Sequence, residues 1–524
     1  MQIAYKKPAA AEAAFGAADA LYLQLRTKLL GKESAVLDAA SVERMVDVEG
    51  REILRELLQA HLTLRGRAVA VDPVVGSDGG ERRHVRPGVT RQLETVFGRV
   101  RVERAAHSGR HLRAVEPVDA DLNLPKFMYS HELERRLARE VARMSFDAAI
   151  DNLGIGTGAS IPKRQAEEIT VRSACDFFAF YDDPERIVAE TLGSLLVLSF
   201  DQKGVVLVRQ DLTEATRKVT PRRKLETRRS KGEKARGRKR MATVAAVYTV
   251  APHLRTPADV IAALQRERTE RGEPRPRPER KRVWATLERS PQHVIADAFD
   301  EAALRDPEHR KTWLVLIDGD PDLERWVRTE AKRRRVKVWI VLDFIHVLEY
   351  LWRASHALNK EGTPEAEAWV LERLARILDG GLSDVVAGMT RSATLRGLSA
   401  EQRAPIDKAA RYLLKRKSLM RYGELLRLGA PIATGIIEGA CRHLICDRLD
   451  ITGARWTLDR ADAVMRLRSL LASGDFADYW DFHEKAEHRR NHASRFLGGK
   501  CPRVAQPGRK PRLTLVQGGV GGVV

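Results

Sequence analysis

Apolar residues recur at helical spacing through residues 10 to 66, with Leu54, Leu57, Leu58 and Leu62 among them, and this period predicts a helical opening to the chain. The period then changes to two. From Arg91 to Arg104, Leu93, Thr95 and Phe97 alternate with polar partners, the chain turns near Gly98, and Val100 and Val102 resume the alternation as a β-hairpin. Beyond Pro125 three helical segments follow. Ser130 is placed to cap the first, which carries Leu133, Leu137 and Val141; the second begins at Ser145 with Phe146, Ala149 and Ile150; the third begins after Ile161-Pro162. The turn from Gly154 to Ser160 and the polar start of the third helix, Lys163, Arg164 and Gln165, match a helix-turn-helix reader as well as they match ordinary packing.

At Gly193 the texture changes. Gly193 to Phe200 is a nearly continuous apolar run ending at Asp201. A turn at Gln202-Lys203-Gly204 and a second strand through Val208 are expected next, with Ala242 to Val250 as a third, giving an antiparallel meander of two or three strands. Pro274, Pro276 and Pro278 mark a linker, and helical sequence then leads to a second buried-strand run, Thr312 to Ile317, which also ends in an acid, Asp318. Residues 321 to 335 read as a helix and Val336 to Leu342 as a strand ending at Asp343, the order of a parallel βαβ unit. Antiparallel strands followed by a parallel unit are what an RNase H-like sheet needs.

Residues 351 to 430 are helical in pattern, with Leu371, Leu374 and Ile377 followed by Tyr412, Leu413, Leu414 and Leu425. The expected class is therefore α/β: an RNase H-like core with a mixed sheet, an all-helical insertion and a mostly helical N-terminal region. The expected division is 1–82, an N-terminal helical region; 83–185, hairpin and helices; 186–350, the first part of the core; 351–425, the helical insertion; 426–483, the last part of the core; and 484–524, a basic and disordered tail.

At 524 residues the chain is long enough for two or three domains that fold without staples. The four cysteines, Cys175, Cys441, Cys446 and Cys501, are too scattered for a disulfide framework or a CxxC zinc site, which fits a reducing cytoplasm. The N-terminus is too polar for a signal-peptide core, and no apolar run reaches spanning length, so no membrane partner is expected. Charge adds a positive expectation. A formal net charge of +21 and a pI near 10.0 favour a polyanionic partner. Total charge alone is equally the mark of an arginine-rich composition, but its distribution is uneven: Arg222, Arg223, Lys224, Arg228 and Arg229 head a run between Arg217 and Arg240 that only Glu226 and Glu233 oppose.

The strand-end acids carry the candidate chemistry. Carboxylates on adjacent strands approach to about the ~4.8 Å strand spacing, near enough to share a cation. Hard oxygen donors favour Mg²⁺ or Mn²⁺ over zinc, and two such ions roughly 4 Å apart activate an attacking oxygen and stabilise a leaving one. Asp201 and Asp318 fit that pattern, although acids also commonly end strands and Asp318-Gly319 is itself a turn signal. Glu438 is the best-placed third donor. It begins a helix with Ile437, Cys441, Leu444 and Ile445 on its apolar positions, and Gly435 and Gly439 leave backbone room around it; Glu438 and Arg442 also stand at the spacing of a surface ion pair.

Ile317-Asp318-Gly319, Leu342-Asp343-Phe344-Ile345-His346, Gly435-Ile436-Ile437-Glu438-Gly439, Asp450 to Trp456, Gly474-Asp475-Phe476 and Tyr479-Trp480 together resemble the DDE transposases of bacterial insertion sequences. The likeness is to the ISKra type, with more distant Mutator-like relatives, and it extends from Leu122-Asn123-Leu124-Pro125 to about His483. The resemblance implies a catalytic triad of Asp201, Asp318 and Glu438 that binds two Mg²⁺ or Mn²⁺ ions. It also matches Asp343 and His346 to the [C/D]xxH element that follows the second acid. If Asp343 lies one strand beyond Asp318, it is about 10 Å from Asp201, which suits a supporting or DNA-positioning role.

Arg455 and Trp456 are further DNA-positioning candidates, with burial the commoner fate of such a tryptophan. Lys163 and Arg164 would read DNA, the 217–240 run would hold phosphates, and Lys408, Arg411, Lys415, Arg416 and Lys417 would clamp a DNA end or simply face solvent. The expected function is cleavage of transposon ends and 3′-OH strand transfer into target DNA by a nucleoid-associated homodimer or higher oligomer, with double-stranded terminal repeats and target as partners. A cutting-only nuclease of the same fold and a DNA-binding regulator with an inactive catalytic domain remain the alternatives.

Overall fold

In the computed structural model residues 12–186, 195–219, 239–265, 275–433, 435–451 and 454–505 are described. They belong to two units: the chain up to Asp176 together with the chain from Trp480 onward, and the chain from Phe177 to Tyr479.

In the first unit, α1 (Gly16–Leu30) and α2 (Ala39–Gly66) confirm the helical opening, with Asp38 capping α2 by accepting from Ser41 N. After the short β1 (Val69–Ala70) comes a three-stranded sheet of β2 (His84–Thr95), β3 (Gly98–Gly109) and β4 (Leu112–Val115). The hairpin turns where expected, between Thr95 and Gly98, but its register runs out to His84 and Ser108, well past the alternating stretch. Its apolar positions Leu93, Val100 and Val102 pack with Leu62 of α2 and with Leu124.

The three predicted helices follow as α3 (His131–Val141), α4 (Phe146–Thr157) and α5 (Lys163–Ser173), capped by Ser130 and Ser145 as their sequences require. Residues 484–505 contradict the expected disordered tail. A helix continues to Asn491, and Val504–Ala505 pairs antiparallel with β1. The reason is a buried aromatic: Phe496, 2% exposed, packs with Val74, Val115 and Ala120, and the basic residues around it obscured that anchor in the sequence.

The second unit is built on a mixed five-stranded sheet. Its strands are β5 (Leu195–Val206), β6 (Lys239–Val250), β7 (Glu279–Thr286), β8 (Thr312–Ile317) and β9 (Val338–Leu342), in the order β7-β6-β5-β8-β9. β7, β6 and β5 are antiparallel neighbours, while β5, β8 and β9 run parallel. α6 (Pro291–Arg305) precedes β8, and α7 (Pro321–Arg334) connects β8 to β9 as the expected βαβ unit requires.

Two expectations fail here for identifiable reasons. No turn interrupts β5 at residues 202–204, because its ladder with β6 continues from Leu195↔Val250 to Val206↔Lys239; Gly204 lets the Lys239 side chain cross closely, since a Cβ there would come within 2.8 Å of it. And the stretch read as linker and helix contains β7. Its Arg282 is charged yet only 6% exposed, paired with Glu301 at 2.5 Å and laid over the Trp284 ring.

The helical insertion comprises α8 (Phe344–Ser355), α9 (Pro364–Leu378), α10 (Leu382–Leu395) and α11 (Ala400–Lys415). α12 (Gly435–Ala440) packs against β5 and β6, and α13 (Leu458–Ser473) covers β7. Among the described residues no helix is long and apolar enough to cross a membrane.

Candidate functional site

The sheet register brings two of the predicted acids together. β5 and β8 pair in parallel from Leu195↔Thr312 to Ser199↔Leu316, and two further residues on each chain place Asp201 beside Asp318. Adjacent strands lie ~4.8 Å apart, so both carboxylates emerge at the end of the parallel ladder, where β8 stops and the antiparallel pairing with β6 carries β5 onward. Burial, reinforced by the charge of Asp201, holds the Asp318 carboxyl above the ordinary carboxylate range.

The turn after β8 is clamped by the insertion. Tyr412 Oη donates to the Asp318 carbonyl at 2.6 Å, Arg416 Nε donates to the Gly319 carbonyl at 2.6 Å, and the Arg416 guanidinium lies 4.1 Å over the Tyr412 ring. Gly319 is required here. Its φ of +85° and the crowding a Cβ would meet, 2.7 Å from Leu342 Cδ1 and closer still to Arg416, exclude a side chain. Asp318 Oδ1 in turn accepts from Asp320 N at 2.9 Å, fixing the carboxylate over the turn.

Glu438 stands on α12 and is exposed. Partial burial raises its pKa, followed by the charges of Asp343, Glu349 and Asp201, while His346 acts in the opposite sense. Asp201 and His346 each act on both Asp318 and Glu438. Asp343 is 2% exposed; its side chain caps α8 by accepting from Ile345 N at 2.9 Å, and its own N–H donates to the Ile317 carbonyl at 2.8 Å. The strand order agrees with the sequence reading of Asp343 as two strands from Asp201, yet among charged neighbours it has the largest effect on Glu438. It is a buried helix cap whose charge acts on that carboxylate.

The sequence reading missed Cys441 as a partner of the first acid. Its thiol donates to Asp201 Oδ2 at 3.1 Å, and burial together with that carboxylate pushes the thiol pKa upward, so it stays a neutral donor. The usable signal was the i+3 spacing from Glu438, which puts both on one helical face. The chain is wound as a π-helical turn over Cys441–Cys446, a departure that often accompanies functional sites.

The donor set is all oxygen, which suits a hard divalent cation. The three acids do not crowd within 4.8 Å of one another; among the described residues the group that does is Cys175, Asp176 and His483 of the first unit. There Arg490 donates to both Asp176 oxygens, at 3.0 and 2.8 Å, and His483 Nδ1 stands 2.7 Å away, so the carboxylate is already neutralised and the cluster is an ion-pair clasp.

The other candidates separate cleanly. Trp456 is 7% exposed under the Arg448 guanidinium, and its backbone continues the sheet at the end of β5 through Val208 N at 2.8 Å from its carbonyl. Its ring is therefore not open to stack on a base, while Arg455 beside it is exposed. Lys163 and Arg164 open α5 with 53% and 85% of their side chains exposed, paired with Asp147 and Glu168. Arg222, Arg223, Lys224, Arg228 and Arg229 lie outside the described residues. Of the basic residues in the insertion, Arg416 is committed to Gly319 and Lys417 to Ser383 Oγ at 2.8 Å. Compared with protein families and with curated proteins, the sequence matches none.

Proposed function

We propose that the chain is a DNA transposase of the DDE type with an RNase H-like core, cleaving the ends of a mobile element and joining the freed 3′ hydroxyl to target DNA. The observation that carries this reading is the parallel register of β5 and β8, which aligns Asp201 with Asp318, together with the action of the Asp201 charge on Glu438. The sheet supports it too, because three antiparallel strands continued by a parallel βαβ unit are the arrangement such a core needs.

Asp201, Asp318 and Glu438 would hold two Mg²⁺ or Mn²⁺ ions. When bound, such ions polarise a phosphodiester and stabilise charge on the attacking and leaving oxygens. The protein's own contribution is positioning. Cys441 orients Asp201, Tyr412 and Arg416 hold the Asp318 turn, and buried Asp343 with half-buried His346 sets the field around Glu438. The exposed Lys163 and Arg164, with the basic run from 217 to 240, would contact double-stranded terminal repeats and target. Bringing two ends together calls for a dimer or higher assembly at the nucleoid.

Asp201→Ala tests the reading against supercoiled plasmid with Mg²⁺. The expected result is loss of nicking and of strand-transfer products with DNA affinity kept within about threefold, since a metal ligand adds no phosphate contact. Nicking that persists in the variant overturns the catalytic assignment. Nicking in the wild type without joined products would instead identify a nuclease that only cuts.

A further inference from the structure

Beside the acidic cluster the second unit contains a cavity of 310 Å³ whose walls come from the end of β6, the segment before β7 and the start of α12. Tyr248, Val250 and Ile436 give it an apolar side, and Arg255, Arg275 and Arg277 converge on the other. Ile436 lies two residues before Glu438, so the cavity and the candidate site share a helix.

The arginines are unusual in their neighbours. Among the described residues no carboxylate comes within 4.0 Å of any of the three. Arg255 is half-buried and braces the loop by donating to the Ala430 carbonyl at 2.6 Å; burial and then the charge of Arg275 lower its pKa, with Asp259 opposing them from beyond ion-pair distance. Arg275 and Arg277 are exposed and Arg255 is half-buried, so three guanidinium charges gather at one side of the cavity where an anion arriving from solvent compensates them. A phosphate supplies that anion, and guanidinium forks match its geometry. The apolar side fits a planar base, whereas a duplex is far too wide for a cavity at the small end of ligand-site volumes.

We propose that this cavity takes one nucleotide of the DNA strand passing the acidic cluster, with its base against Val250 and Ile436 and its phosphates on Arg255, Arg275 and Arg277. The assignment rests on the reading of the site as one that acts on DNA. It gives that site a way to hold a single strand unpaired beside the acids, in register with them through α12.

The test uses the full-length protein, a twelve-nucleotide dT strand with one central 2-aminopurine, the matching duplex, and free dTMP. Wild type is expected to bind the single strand with a change in 2-aminopurine emission. Arg275→Ala/Arg277→Ala should weaken that binding at least tenfold, against threefold or less for Lys332→Ala/Lys337→Ala, which removes equal charge elsewhere. Ile436→Trp, which fills the cavity and keeps the charge, should abolish the emission change. Equal losses in the two double variants, an unaltered signal in Ile436→Trp, or full competition by dTMP at equal nucleotide concentration each overturns the proposal. Asp201→Ala separates the two readings: it should leave strand binding intact even as nicking is lost, so failure of the cavity assignment and failure of the catalytic one give different patterns.

Discussion

The Cys441 thiol donates to Asp201 Oδ2 at 3.1 Å, and the other oxygen of that carboxylate accepts from the neighbouring Gln202 N–H at 2.6 Å. The first acid is thus held from two sides, once by its own backbone and once by α12's continuation, which ties the position of Asp201 to the helix that carries Glu438. Cys441→Ala removes one anchor and Cys441→Ser restores a donor. A hydrogen bond to a charged group is worth about 1.5–3 kcal/mol at most, less for a thiol, so the alanine variant is expected to lose about tenfold in Mg²⁺-dependent nicking and serine to recover most of it. Equal rates in all three proteins would show that the contact does not position the carboxylate.

The clamp on the Asp318 turn makes a prediction about stability. Gly319→Ala forces a side chain at φ +85° against Arg416 and Leu342, and at least 2 kcal/mol of destabilisation is expected from strain and displacement together. Tyr412→Phe removes only the hydroxyl that donates to the Asp318 carbonyl and should cost about 1 kcal/mol. Urea denaturation measures both. A Gly319→Ala protein as stable as wild type would mean that the turn is looser than its contacts indicate.

The acids themselves should oppose folding when no cation is present. Asp318 and Glu438 both have pKa values raised by burial and by neighbouring negative charge, so their charged forms are disfavoured in the fold. That penalty sets in as pH rises through the ordinary carboxylate range and is fully present only above the raised values. Asp318→Asn and Glu438→Gln, measured at pH 7.5 in EDTA, are therefore expected to melt higher than wild type, and 5 mM Mg²⁺ should raise the wild-type midpoint without moving either variant's. A lower midpoint for Asp318→Asn in EDTA would show that its charge is structurally wanted, contrary to its surroundings.

Much of this site was legible because its acids interrupt apolar runs. Ile317-Asp318 and Leu342-Asp343 stand out as abrupt polar ends to buried strands, and the structure places them on neighbouring strands as that pattern implies. Asp201 was found for a partly mistaken reason. The sequence read it as a strand end, whereas β5 continues through it, and it is β8 that ends alongside. The supports were not legible, because a thiol on Cys441, a hydroxyl on Tyr412 and the guanidinium of Arg416 arrive from elements distant in sequence, and no local pattern marks which helical residue will meet a turn. β7 was hidden for the opposite reason: its Arg282 charge is buried against Glu301, an arrangement that hydropathy reads as exposure.

In the first unit His131 sets a pH dependence that does not involve the acidic cluster. Both ring nitrogens are buried without a partner at good hydrogen-bond geometry, and burial pushes its pKa down to about 4, opposed by Glu487 and a weak backbone contact at Asn123 and assisted by the neighbouring His483 and His492. An unfolded histidine titrates near ~6.5. Between these values the unfolded chain binds the proton and the folded one does not, so stability is complete above about pH 6.5, declines as pH falls, and levels off below about pH 4. The loss over that window is on the order of 3 kcal/mol for a group this buried. His107 and His492 are shifted downward by burial as well, so the wild-type curve alone would mix three residues. The difference between wild type and His131→Phe isolates one. It is expected to grow in favour of phenylalanine as pH is lowered from 7 to 4.5, and a difference that stays constant across that range would show that the imidazole is protonated within the fold.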